Sequence, residues 1–203
     1  MRHTIYKPNP KVTGGLATFS IGETKNKKDE WEKTLFIEFV PQKGWNAEKH
    51  NGSFDHENKK FVAISVAEAG EFIHSIRTGI PYANFHKSAK GTSVVKVGSY
   101  TQERKVGQEG QKGYWKGEIR NVAVGVSFNS KSINIPLAPG EQEVILILLD
   151  AYIKQSIAQD ASNEKKRRKV RENTAPKKDE NKSSGEIFDE APTADDDDME
   201  TPF

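Results

Sequence analysis

The chain has 203 residues, 34% hydrophobic and 30% charged, and no cysteine. The missing cysteines exclude disulfides and thiolate metal sites, and no apolar run approaches the ~18 residues that cross a membrane. The formal net charge of +2 hides a division: residues 1–160 carry 22 basic and 17 acidic side chains, residues 161–203 nine and twelve. A mildly basic body with an oppositely charged tail is the layout of a polyanion binder.

Large apolar side chains nearly vanish after Ile157, where only Val170, Ile187, Phe188, Met199 and Phe203 remain. Such a segment buries too little surface to offset its ordering entropy. The expected division is therefore a folded domain over 1–158, a disordered linker with a basic run over 159–194, and an acidic peptide over 195–203. The first residues, Met1-Arg2-His3-Thr4, lack the apolar core of a signal peptide. A soluble cytoplasmic protein is expected, with the nucleus as the alternative.

Gly14-Gly15 opens a strand over Leu16 to Ile21. A charged turn leads to a second, Leu35 to Val40, stopped by Pro41, and residues 42–59 are polar and read as a long loop. Lys60 to Ile64 is a third strand, on β-branched and aromatic enrichment between turn signals. The period then changes. Ser65-Val66-Ala67-Glu68 is a capping box, Ala69, Phe72, Ile73 and Ile76 follow helical spacing, and Gly79 supplies the stop.

Strands resume at Tyr82 to Lys87, Ser93 to Tyr100, Gly113 to Arg120, Val122 to Phe128 and Ser132 to Leu137. Val122, Val124, Val126 and Phe128 alternate with small residues, so one face of that strand is core. Pro139 starts a second helix. Its stretch Val144 to Leu149 is apolar all round and must be covered on more than one side, by the sheet and a loop or by a second subunit. The fold class is α+β: mainly antiparallel sheet in two strand blocks, each closed by a helix.

Catalytic signatures are missing: no P-loop, no GxGxxG after a strand, no GxSxG and no HExxH. The five histidines (His3, His50, His56, His74 and His86) lack ligand spacing, and no cofactor, metal or catalytic residue is expected. A binding role finds more support. Single-strand binders need cations for phosphates and flat rings for bases, and residues 82–120 interleave both. Tyr82, Phe85, Tyr114 and Trp115 are the candidate stacking residues; Lys87, Lys90, Lys96, Lys116 and Arg120 are the candidate phosphate contacts. Neighbouring strand residues point to opposite faces, so Tyr114 and Lys116 share one face and Trp115 takes the other.

In the tail, Lys165-Lys166-Arg167-Arg168-Lys169-Val170-Arg171 fits phosphate contact, a nuclear-localisation signal or a solvated linker. The segment Asp195-Asp196-Asp197-Asp198-Met199-Glu200-Thr201-Pro202-Phe203 joins an acidic run to an apolar ring, which a basic pocket with an apolar floor could capture. It could equally occupy the domain's own cationic groove.

Two resemblances follow. Residues 195–203 resemble the acidic, Pro-Phe-ending tip of bacterial single-stranded-DNA-binding proteins, departing from it by Met199-Glu200-Thr201. That likeness implies that Asp195, Asp196, Asp197, Asp198, Pro202 and Phe203 recruit replication and repair proteins. Over residues 15–157 the domain resembles the Whirly family and the related transcriptional coactivator fold. The likeness lies in Lys60 to Gly70, Phe85-His86, Gly113-Tyr114-Trp115, Val122 to Phe128 and Ile133 to Leu137. It implies single-strand binding on sheet surfaces and assembly of a homo-oligomer through the helices, and a phage-encoded replication protein fits both halves. The expected function is non-enzymatic, sequence-tolerant protection of single-stranded DNA. The alternatives are a strand-annealing recombination mediator and a nuclear RNA- or DNA-binding, transcription-linked protein.

Overall fold

The computed structural model describes residues 1–88, 91–128 and 131–174. The first strand block comprises β1 (Arg2–Lys7), β2 (Gly15–Lys25), β3 (Trp31–Asn46), β4 (Asn51–Phe54) and β5 (Lys60–Ile64), followed by helix α1 (Val66–Thr78). The second comprises β6 (Tyr82–Ser88), β7 (Gly91–Val106), β8 (Trp115–Phe128) and β9 (Lys131–Leu137), followed by α2 (Pro139–Thr174). All pairings are antiparallel. The first sheet runs β1-β2-β3 with β5 and β4 on successive stretches of β3, and the second runs β6-β7-β8-β9. This is the α+β architecture expected from two strand blocks each closed by a helix.

Both sheets and both helices share one core. Phe19, Ile37 and Phe39 from the first sheet, Val95, Val124 and Ile135 from the second, Phe72 from α1, and Ile145, Leu148 and Leu149 from α2 are all buried in it. The sheets approach where β2 meets β9: a Cβ on Gly15 would stand 3.0 Å from Ile133 and 2.7 Å from the Val40 carbonyl oxygen. Only glycine fits there.

Local chemistry explains α1. Ser65 Oγ accepts from the Glu68 amide while the Glu68 carboxylate accepts from the Ser65 amide. At the other end Gly79 is left-handed (φ 83°) and its N–H closes on the Ser75 carbonyl. Burial works to raise the Glu68 carboxyl, but hydrogen bonds from Ser65 and Asn84 and the nearby His86 outweigh it and hold it below the usual range. This half-buried cluster ties the start of α1 to β6 through the Asn84 side chain, which donates to Glu68 Oε1 at 2.8 Å.

The strands extend beyond their sequence signals. Pro41 does not stop β3. It stands opposite Gly15, the first residue of β2, and the strand then takes β4 as its partner after a bulge between Gln42 and Gly44. A proline is tolerated where a strand changes partner. The expected loop over 42–59 therefore contains β4 and a short 3₁₀ turn at His56–Asn58. Strand β1 carried no recognised signal, because its apolar content is one buried residue, Ile5, beside the exposed Tyr6. The segments around Asn121 are one continuous strand, β8.

The largest departure lies at the C-terminal side. Helix α2 does not end near residue 158 but continues to Thr174, through the basic run. Residues 159–174 need little apolar burial to order, for two reasons. They are rich in Lys, Arg and Glu, which favour helix. They are also docked by polar contacts: Asn163 Nδ2 donates to the Trp31 carbonyl at 3.1 Å, and Arg167 grips Glu30 with two donors, Nε at 2.6 Å and Nη2. The Arg167 guanidinium, aided by Asn26, pulls the Glu30 carboxyl from 4.5 down to about 2. The remainder of the expected linker, and the whole of 195–203, lie outside the described residues.

Candidate nucleic-acid interface

Strand parity divides the second sheet into two chemically different faces. Val95, Val97, Val122, Val124, Val126, Ile133 and Ile135 point inward. The opposite face follows from the register: Lys87 lies beside Thr92, Phe85 beside Val94, Ala83 beside Lys96, and Lys96 beside Gly125. Towards the end of the β7–β8 pair the same face continues through Tyr100 beside Asn121 and Arg104 beside Gly117 to Val106 beside Trp115. On β9 it carries Ser132, Asn134 and Pro136.

Three rings stand out on this face: Phe85 is 70% exposed, Trp115 44% and Tyr100 40%. Lys87, Lys96 and Arg104 supply charge, and no Asp or Glu lies on this face among the described residues. Small side chains keep the middle of the sheet shallow. A Cβ on Gly125 would come within 2.4 Å of Asn134 Oδ1. A shallow sheet with exposed rings and unopposed cations suits stacking of unpaired bases along a charged track.

The structure brings Phe85, Lys87, Lys96 and Trp115 onto this one face and removes four other expected contacts from it. Tyr82 points inward, with its ring edge-on to Phe72 at 5.6 Å. Burial, with the charges of Glu68 and Glu71, raises its phenol. Lys116 lies on the opposite face from Trp115, with Nζ 3.3 Å from Glu103. Arg120 caps α1: its guanidinium donates to the carbonyls of Thr78 at 2.8 Å, Ile76 at 2.9 Å and Arg77 at 3.3 Å. A cation at a helix C-terminus satisfies carbonyls that the helix leaves open, so Arg120 has structural work to do. Tyr114 precedes β8 in the turn and is half-buried. Lys90 lies outside the described residues.

Sequence reading included Tyr100 and Arg104 in the interleaved region 82–120 without assigning them a contact, and it missed the outer face of the first sheet. Tyr100 and Arg104 share the parity of Phe85 across the β6–β7 pairing, which was a usable signal. The outer face of the first sheet was invisible for want of β1. It exposes Tyr6 and Phe61, sets Tyr6 edge-on to Phe54 at 5.9 Å, and places Lys59 Nζ 4.8 Å from the Phe61 ring centre. Lys59 is also paired with Glu38 at 3.1 Å, so this second face is less cationic.

The comparisons agree with the architecture. The family described as "Whirly transcription factor" matches residues 6–148. Among solved structures, the chain is similar to WHY1 from Arabidopsis thaliana, with 16% identity, 84% of this chain and 92% of that one covered, and a TM-score of 0.52. It is also similar to WHY3 from Arabidopsis thaliana (18% identity, 81% and 92% covered, TM-score 0.49). A third is the plant transcriptional regulator PBF-2 (17% identity, 81% and 86% covered, TM-score 0.48). No curated protein matches the chain. With most of the folded region matched and the two sheet-and-helix blocks in place, the chain belongs to the Whirly family, whose members bind single-stranded DNA.

Proposed function

We propose that this protein binds single-stranded DNA in a sequence-tolerant manner on the outer face of β6–β9, protecting it during replication, recombination or repair, without catalysing a reaction. The observation that carries this reading is the segregation of charge by face. The face with Phe85, Tyr100 and Trp115 holds Lys87, Lys96 and Arg104 and no described carboxylate, whereas the carboxylates of β7 and β8, Glu103 and Glu118, lie on the other side. Rings stack bases irrespective of sequence and the cations follow the backbone.

The working form is an oligomer. Helix α2 buries Ile145, Leu148 and Leu149 but leaves Val144, Ile147 and Ile157 exposed on the isolated chain. A second copy would cover them. The acidic segment 195–203 would recruit replication and repair proteins and compete with DNA for the cationic face, so deleting it should tighten DNA binding at low salt while abolishing recruitment. Unchanged affinity in that variant would remove the competition from this account.

The test is fluorescence-anisotropy binding to labelled oligo-dT, with matched duplex DNA and RNA, across a salt series. Tight dT binding with a negative log–log salt slope and weaker duplex binding is the expected result. Preference for duplex would favour a transcription-linked role, a reading supported by the family's description as transcription factors. Binding to none of the three would overturn nucleic-acid recognition.

A further inference from the structure

Among the described residues, neither β7 nor β8 has a third neighbour beyond the Tyr82↔Val97 and Val122↔Leu137 pairs. Residues 98–121 therefore form a two-stranded ribbon that leaves the body of the sheet. At ~3.4 Å per residue, the nine steps from Val97 to Val106 carry it about 30 Å outward. Its root is held firmly, by Arg120 on the last turn of α1 and by Ser99 Oγ, which donates to the Gly79 carbonyl at 2.9 Å.

The two faces of the ribbon differ. One carries Glu103, Glu118, Lys105 and Lys116, with Glu103 3.3 Å from Lys116 and 3.9 Å from Lys105, and is self-neutralising. The other carries Tyr100, Arg104, Val106, Trp115 and Ile119 with no carboxylate, and it continues the outer face of the sheet without a break. Trp115 is kept on this face by Gly117, where a Cβ would meet the indole ring at 2.4 Å. A two-stranded ribbon is at best marginally stable in water by itself, yet this one leaves Tyr100, Trp115 and Val106 exposed on one side.

We propose that the ribbon is a second, separable contact for single-stranded nucleic acid, which lengthens the track beyond the sheet and engages only strands long enough to reach it. This rests on the proposed binding at the sheet face. Charge decides the occupant: Arg104, with no carboxylate on its face among the described residues, shares that face with Tyr100 and Trp115 and fits a phosphate backbone with stackable bases.

The test is a length series of oligo-dT bound by the full chain, by the double variant Arg104→Ala/Trp115→Ala and by Gly117→Val, which displaces the indole without removing it. Circular dichroism and sedimentation velocity run alongside. For the unaltered protein, affinity should rise in a second step once the oligonucleotide outgrows the sheet. Both variants should lose that step, about tenfold or more in affinity for long strands, so that the ratio of long- to short-strand affinity collapses, whereas Phe85→Ala should weaken long and short strands alike. Long strands bound equally by all three proteins would overturn the ribbon's role and leave the sheet site intact. Absence of binding by the unaltered protein would overturn both. A change in sedimentation confined to the variants, without loss of the second step, would assign the ribbon to contact with a second copy and overturn the proposal.

Discussion

At the scale of single residues, parity matters more than residue type. Tyr82 and Phe85 are both aromatic, lie three positions apart on β6 and have opposite fates: one packs on Phe72, the other is 70% exposed. Substituting Phe85 by Ala should weaken oligo-dT binding by about 1–3 kcal/mol and leave the melting temperature unchanged. Tyr82→Ala should do the reverse, costing stability of about 2 kcal/mol through lost packing; anisotropy and thermal denaturation separate the two. Arg120 gives a similar contrast with Lys96. Arg120→Ala removes three hydrogen bonds to α1 carbonyls and should lower stability by about 1–2 kcal/mol. Lys96→Ala should lower the magnitude of the salt slope by roughly one, as loss of a phosphate contact does. The candidate list mixed both parities, so no single face could have held all of it. Alternation separated Lys116 and Arg120 from Trp115; which set faced the core was a matter for the packing.

Elements tell a different story about polar contacts. The end of α1 was legible because its signals are local: a hydroxyl and a carboxylate three residues apart, then a glycine. The end of α2 was not, because residues 159–174 are docked by contacts distant in sequence, among them Glu30 with Arg167, 137 positions apart. A depressed carboxyl stabilises the docked form above its ordinary pKa, and that contribution is lost as the group is protonated. Amide protection over residues 159–174 should therefore be full at neutral pH, decline below about 4.5 and be lost towards pH 2. Arg167→Ala should show the low-protection state at every pH. Protection that does not differ between the two proteins would mean that Asn163 and helix propensity suffice. The basic side chains of this stretch are thus placed on a docked helix rather than on a free linker.

For the whole molecule, the open question posed by the all-apolar stretch Val144 to Leu149 is half answered within one chain. The sheet and α1 cover Ile145, Leu148 and Leu149, and Ile147 remains 60% exposed. Ile147→Glu should dissociate the proposed oligomer, seen as a fall in sedimentation coefficient, with the fold retained because that side chain is exposed on its own chain. If the native chain already sediments as a monomer, the exposed stripe has another occupant. A dissociated variant should also lose affinity for long oligonucleotides by more than it loses for short ones, since an oligomer presents several sheets to one strand.

What the sequence determined by itself are the properties that reside in short windows. Strand-favouring residues between turn signals marked seven of the nine strands among the described residues, the capping box and Gly79 bounded α1, and Pro139 opened α2. The segregation of charge at the C-terminal side was plain from composition. Tertiary structure alone decided the rest. It chose which parity of β6–β8 faces solvent, because burial depends on what packs against a strand. It carried β3 past Pro41, because a new partner strand was available there, and it held α2 together to Thr174 through an ion pair with a distant turn. Local signals act over a few residues and survive in the linear chain. The faces, partners and distant pairs that make the proposed site depend on chain segments meeting in space.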